Sequence, residues 1–202
     1  MRRASFGLDS RTDGDLIASS CAESELFEVI FDRHFATIFG YLTRRLARDA
    51  AGDVAAEVFV TAFAKRMTFD RDAFDSALPW LFGIAANMAA HHNRHNGRRA
   101  SAYARSPLES AGHFDTNEAT ARVDAAGSQA RLEASLNALS DDFRDVVLLV
   151  AVHGLSYAEA SHALHVPIGT VQSRLARAKK QLRASLEAAD AGIPSTKDGP
   201  ND

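Results

Sequence analysis

Eight side chains near the C-terminus have the types and spacing of a nucleic-acid reader. They are Gln172, Ser173, Arg174, Arg177, Lys179, Lys180, Arg183 and, two residues before the first of these, Thr170. Arg and Lys neutralise phosphates; Gln, Ser and a forked guanidinium hydrogen-bond base edges. No Asp or Glu occurs from Ala160 to Leu186 to oppose them. A basic helix alone is most often a solvated surface. The elements that position this one argue for more.

Val171, Leu175, Ala178, Leu182 and Leu186 fall on one stripe at ~100° per residue, so the basic side chains share the opposite face. Ser156 and Glu159 form an S-x-x-E capping box, predicting a preceding helix from Tyr157. Pro167 suits the first turn of the next helix, and Gly169 lets backbone approach another surface closely. Two helices joined by a tight turn, the second basic outside, make a helix-turn-helix that fits a DNA major groove.

The string from Gly154 to Arg183, GLSYAEASHALHVPIGTVQSRLARAKKQLR, resembles the promoter-binding C-terminal domain of bacterial sigma factors of the extracytoplasmic-function (ECF) group. The resemblance implies that Thr170, Gln172, Ser173, Arg174, Arg177 and Lys180 contact the −35 promoter element. Many members carry Lys or Arg where this chain has Gln172, so its target sequence is its own.

The N-terminal half resembles the same family through DVAAEVFVTAF and PWLFGIAANMAAHHNRHNGRR. In that family the corresponding domain opens the promoter. Asp53 and Glu57, four apart on one helix face, match acids that face core RNA polymerase; Ala56 replaces a common Gln. Phe69 and Asn87 match positions that line a pocket for a flipped-out base of the −10 element, by stacking and hydrogen bonding. Arg94, Arg98 and Arg99 lie in a stretch free of acids from Ser76 to Leu108, an anion-facing surface that the resemblance assigns to the single strand.

The expected fold is all-α: two small helical domains joined by a flexible linker, the C-terminal one a helix-turn-helix. Residues 1–22, polar and aperiodic, read as a mobile tail. Residues 23–100 form the first domain, with helices from Ser24 through Leu46, from Ala51 to Lys65, and from Pro79 to the Asn96-Gly97 stop signal. Met67 to Ala77 is a polar loop containing aromatics. Residues 101–129, rich in Ala, Ser, Gly and Thr, read as a linker. Residues 130–187 form the second domain, with helices from Arg131 to Leu139 and from a Ser140 cap to Val152 before the helix-turn-helix. Residues 188–202 read as a second disordered tail.

Composition bounds the rest. The net charge of −3 excludes a globally basic DNA coat, so nucleic-acid contact must come from segregated charge. Cys21 is the single cysteine, which precludes an internal disulfide and fits a reducing, cytoplasmic setting. No apolar run spans a bilayer. His91 and His95 stand at zinc-sharing spacing but lack a third ligand nearby, so no metal or cofactor is expected. With no Gly-rich phosphate loop or nucleophile elbow, no enzyme activity is expected; Asp141, Asp142 and Asp145 read as helix-start acids. The expected partners are core RNA polymerase, promoter DNA and, by family resemblance, an anti-sigma protein. The rival is a helix-turn-helix regulator that binds duplex operator DNA alone. Such a protein with a receiver domain would show alternating strands and helices near its N-terminus, and that pattern is missing.

Overall fold

The computed structural model describes the backbone over residues 11–103 and 123–191, and side chains over 11–96 and 130–188. The described residues form helices and turns, without strands. Helix α1 spans Asp13–Ser19, α2 Phe27–Leu42, α3 Arg48–Lys65 and α4 Leu78–Tyr103. After the undescribed stretch come α5 Val123–Ala138, α6 Asp141–Val146, α7 Tyr157–Leu164 and α8 Ile168–Ala191.

In the N-terminal module, α2 buries Phe27, Ile30, His34, Ile38, Tyr41 and Leu42, stepping by three and four residues. Helix α3 answers with Val54, Ala55, Val58, Phe59 and Ala62, and α4 with Leu81, Phe82, Ala85 and Ala89. The small residues of α3 and α4 let their axes approach closely around the larger α2 side chains.

Helix α1 corrects the expected tail over residues 1–22. Thr12 adopts an extended conformation, and its Oγ1 accepts the Asp15 N–H at 3.1 Å, an N-cap. Leu16 and Ile17 are fully buried, which stabilises the docked helix by about 1.5–3 kcal/mol per side chain. Residues 1–10 lie outside the described residues. The expected stop at Asn96-Gly97 is not taken either: α4 continues to Tyr103. A helical glycine costs only about 1 kcal/mol against Ala, too little to end a helix this long.

The C-terminal module buries Val146, Val147, Leu148, Leu149, Leu155, Ala160, Ala163, Val171, Leu175 and Ala178. Ser140 occupies the N-cap position of α6, but its side chain makes no capping bond; its carbonyl accepts the Phe143 and Arg144 N–H groups. Arg144 instead caps α5, donating to the carbonyls of Leu136 at 2.9 Å and Leu139 at 3.2 Å and to that of Asn137. Val147–Val152 is a π-helical turn, closed by the bond from His153 N–H to Leu148 O and followed by Gly154 at φ 73°. Helix α5 starts at Val123, inside the expected linker, and α8 reaches Ala191, past the expected end at 187. The Ala-rich composition of both stretches favours helix. The remainder of the expected linker, 104–122, and of the expected C-terminal tail, 192–202, lies outside the described residues.

The two modules touch. Helix α4 packs on α7, and a Cβ placed on Gly83 would stand 2.9 Å from the Ala163 carbonyl oxygen. Phe82 of α4 and Tyr41 of α2 flank the His153 ring, at centroid distances of 5.0 and 6.3 Å.

Candidate nucleic-acid interface

The helix-turn-helix forms as its residues require. Ser156 Oγ accepts the Glu159 N–H at 3.2 Å, and Glu159 Oε2 accepts the Ser156 N–H at 2.7 Å, closing the capping box. Helix α7 ends on His165 in the left-handed region, φ 52° and ψ 42°. His165 and Val166 donate their N–H groups back to His162 O and Ser161 O, and Ser161 Oγ donates to Val166 O at 2.6 Å. Pro167 follows, and its carbonyl accepts the Thr170 and Val171 N–H groups as α8 begins.

Val171, Leu175 and Ala178 are buried, with Leu182 and Leu186 half-buried behind them. This turns Gln172, Ser173, Arg177, Lys179, Lys180 and Arg183 to solvent. Thr170 is half-buried, and its carbonyl accepts the Ser173 hydroxyl at 3.1 Å. Arg174 differs from its neighbours: it is half-buried and its Nη2 lies 2.5 Å from Asp142 Oδ2 on α6. Space around a Gly169 Cβ is open, so no neighbour within the chain needs that glycine.

In the N-terminal module, Asp53, Ala56 and Glu57 lie exposed on the outer face of α3. Glu57 shares a groove of about 490 Å³ with Asn87, His91 and His95 of α4. Asn87 and Arg94 are exposed. Phe69 is half-buried, with its ring 5.1 Å from that of Trp80. Arg98 and Arg99 lie on α4, in the part whose side chains are not described. Asn96 and His92 share a hydrogen bond at 2.8 Å, and no group of three or more His, Cys, Asp or Glu among the described residues could hold a metal.

Two charged clusters escaped the sequence reading. Asp13 of α1 takes Arg33 Nη1 at 2.9 Å on one oxygen; His34 Nε2 at 2.7 Å, the Ala77 N–H at 2.9 Å and Ser76 Oγ at 3.2 Å meet the other. Burial pushes its carboxyl up, but His34, the Ala77 N–H and Arg33 prevail and hold it well below the usual carboxylate range. Asp13 thereby pins α1 and α2 to the start of α4, where a negative charge also suits the helix dipole. The nearest signal in the sequence was the Leu16-Ile17 pair behind a T-x-x-D cap.

The second cluster joins the modules. The Arg45 side chain is fully buried, with Nη1 donating to Asp141 Oδ1 at 2.7 Å and Nε 2.6 Å from Asp145 Oδ1. Tyr41 Oη donates to Asp145 Oδ1 at 2.6 Å. Burial opposes the Arg45 charge, yet Asp145 and Tyr41 hold its pKa above the ordinary guanidinium value. Burial raises Asp145, against the pull of Arg45 and Tyr41. No local motif announces partners about a hundred residues apart.

A helix-turn-helix with an acid-free outer face, set on a helical module with exposed acids on α3 and an aromatic cavity at Phe69 and Trp80, defines a DNA-binding protein of two parts. Sequence comparison supplies the family. A model described as Sigma-70 region 2 matches residues 30–99, and one described as Sigma-70, region 4 matches residues 129–182. The ECF RNA polymerase sigma factor SigM of Mycobacterium tuberculosis is 30% identical over 190 residues, 93% of this chain and 91% of that protein. The ECF RNA polymerase sigma-E factor of Haemophilus influenzae is 26% identical over 82% of this chain and 89% of its own length. The chain belongs to the extracytoplasmic-function group of the sigma-70 family. Its fold matches sigma factor RpoE in complex with the anti-sigma factor NepR from Bartonella quintana (TM-score 0.62, 23% identity, 80% of this chain and 96% of that one). It also matches CnrH in complex with the cytosolic domain of CnrY (TM-score 0.64, 24% identity, 88% of this chain and 99% of that one). The family is a non-catalytic transcription initiation factor. No helix among the described residues is long and apolar enough to cross a membrane.

Proposed function

We propose that the two modules of this sigma factor divide the promoter between them while the chain rides on core RNA polymerase. The observation that carries the DNA half is the outer face of α8, where Gln172, Ser173, Arg177 and Lys180 stand exposed with no acid among them. Gln172, Ser173 and Arg177 read base edges of the distal element, Lys180 and Thr170 hold phosphate, and Arg174 joins them by exchanging Asp142 for DNA. Each good bidentate contact discriminates by about 1–3 kcal/mol.

In the other module, Asn87 hydrogen-bonds a displaced base of the melted element and Phe69 offers it a ring face. Arg94, with Arg98 and Arg99 further along α4, follows the single-strand backbone. Asp53 and Glu57, exposed one turn apart on α3, dock on the polymerase. The chain performs no covalent chemistry, works in the cytoplasm beside polymerase, and needs no metal or cofactor. The complex of RpoE with the anti-sigma factor NepR supports an anti-sigma partner for this chain as well, and CnrH too is bound by a second protein, the cytosolic domain of CnrY.

The rival regulator needs a sensor domain where the Sigma-70 region 2 match lies. A gel shift separates the two. A promoter fragment should be retarded by the chain plus core polymerase, with neither component sufficient for the specific complex. Specific retardation by the chain alone, unchanged by polymerase, would establish the regulator.

A further inference from the structure

We propose that the cavity between the α2–α3 turn and α5 binds a small aromatic carboxylic acid: Arg44 and Arg48 hold the carboxylate, and Phe39 and Leu136 take the ring. The cavity measures about 420 Å³. Small-molecule sites run from about 300 to 1,000 Å³, so a one- or two-ring acid fits. Asn87, Phe69 and the outer face of α8 do not line it, so this is a site separate from the DNA surfaces.

The cationic half follows from a mismatch of charges. Arg44, Arg45 and Arg48 stand within five positions of one another. The acids of α6 are spent on one of them, since Asp141 and Asp145 both pair with Arg45. Arg44 donates Nη1 to Gly40 O at 2.8 Å and has no carboxylate partner among the described residues. Arg48 has neither a hydrogen bond nor an ion pair among them. Both line the cavity, and a guanidinium fork matches a carboxylate with two parallel N–H bonds. The uncompensated charge of Arg44 reaches inward: His153 is held below the ordinary imidazole value, by burial first and by Arg44 second. Helix α3 adds to the same field. Its N-cap is Ala47, which has no side-chain acceptor, so the positive end of an 18-residue helix starts uncapped beside Arg48. Asp49, in the same turn, is exposed and does not line the cavity.

The opposite wall sets the rest of the ligand. Leu136 of α5 and Phe39 of α2 are half-buried and still have apolar surface to cover. The Phe39 ring stacks on Phe35 at 5.9 Å with 7° between the planes, which holds it as a flat wall for a second ring. Asn137 adds an amide that can donate to a carboxylate oxygen. Glu133, which has a partner of its own, keeps a negative group on this wall and repels a second charge on the ligand. A singly charged carboxylate therefore suits the cavity better than a phosphate ester.

Titration of 1-naphthoate into the full chain tests this, with 1-naphthamide as the neutral probe of the same shape. Calorimetry should show one saturable site, and naphthamide should bind at least about tenfold more weakly. The Nε–H resonances of Arg44 and Arg48, assigned by their loss in Arg44→Gln and Arg48→Gln, should shift in the parent on binding. Each variant should weaken naphthoate by about fivefold or more. Both arginines are exposed, so the variants should keep the parent's circular dichroism; if Arg44→Gln misfolds, Arg48→Gln decides. Inorganic phosphate at the same concentration should leave both resonances in place. Naphthoate that fails to saturate by about 5 mM, naphthamide of equal affinity, or parental affinity in both variants overturns the proposal. Displacement of naphthoate by phosphate makes the cavity a general anion trap and overturns it as well.

Discussion

Asp13→Asn should be among the most damaging single substitutions outside the apolar core. The side chain keeps its shape, so the loss is electrostatic. Asp13 is 6% exposed and serves Arg33, His34, Ser76 and the Ala77 N–H together. An amide retains one oxygen and turns the other acceptor into a donor, which then faces either Arg33 or the α4 start. Removing one partner of a buried pair costs about 3–5 kcal/mol. Because Arg33 is 23% exposed and can recover water, about 2–4 kcal/mol is expected here. For a module of this size that lowers Tm by roughly 8–32 °C, at about 4–8 °C per kcal/mol. The pH dependence has a definite sign. The carboxyl is held below its ordinary value, so its contribution is complete above the unfolded pKa of about 3.9 and fades as pH falls toward the lower folded value. Asp141, also lowered despite its burial through Arg45, adds the same sign, whereas Asp145, raised by burial, has the opposite one. Urea unfolding followed by circular dichroism at pH 7 and at about pH 2.5, inside that window, measures this. The variant should be less stable at pH 7 and lose less on acidification than the parent. A difference under about 0.5 kcal/mol at pH 7, or an unchanged pH slope, refutes the role given to Asp13.

Arg177→Ala should lose about 1–3 kcal/mol of discrimination at one base pair of the distal element, measured by competition among single-substituted promoters; equal loss on every sequence makes it a phosphate contact. Asn87→Ala should impair promoter opening more than closed-complex formation, and permanganate reactivity of promoter thymines equal to the parent's would exclude the base pocket. Ser156→Ala opens the capping box and should destabilise the C-terminal module by about 1 kcal/mol in thermal unfolding, with a change below a few tenths refuting the cap's contribution.

The helix-turn-helix was the most legible part of the chain because its determinants are local. A capping box acts over three residues, and the Val171–Leu175–Ala178 stripe is fixed by helical period alone. Helix α1 was missed because seven residues show too little periodicity, and its stability comes from Asp13 partners 20 to 64 positions away. Gly97 misled for the opposite reason: a local stop signal was outweighed by the length of α4. The exposed positions of Asp53, Glu57 and Asn87 followed from spacing and family resemblance. The Arg174–Asp142 pair and the Tyr41–Arg45–Asp145 cluster are tertiary contacts between helices distant in sequence, and no pattern along the chain encodes them.

Transcription reconstituted from purified core RNA polymerase, this chain and genomic DNA, with the 5′ ends of the RNAs sequenced, tests the central claim most directly. The account requires start sites that appear only when the chain is present, preceded by two shared sequence elements at fixed spacing and reduced by Asp53→Ala/Glu57→Ala. Start sites identical with and without the chain would contradict it.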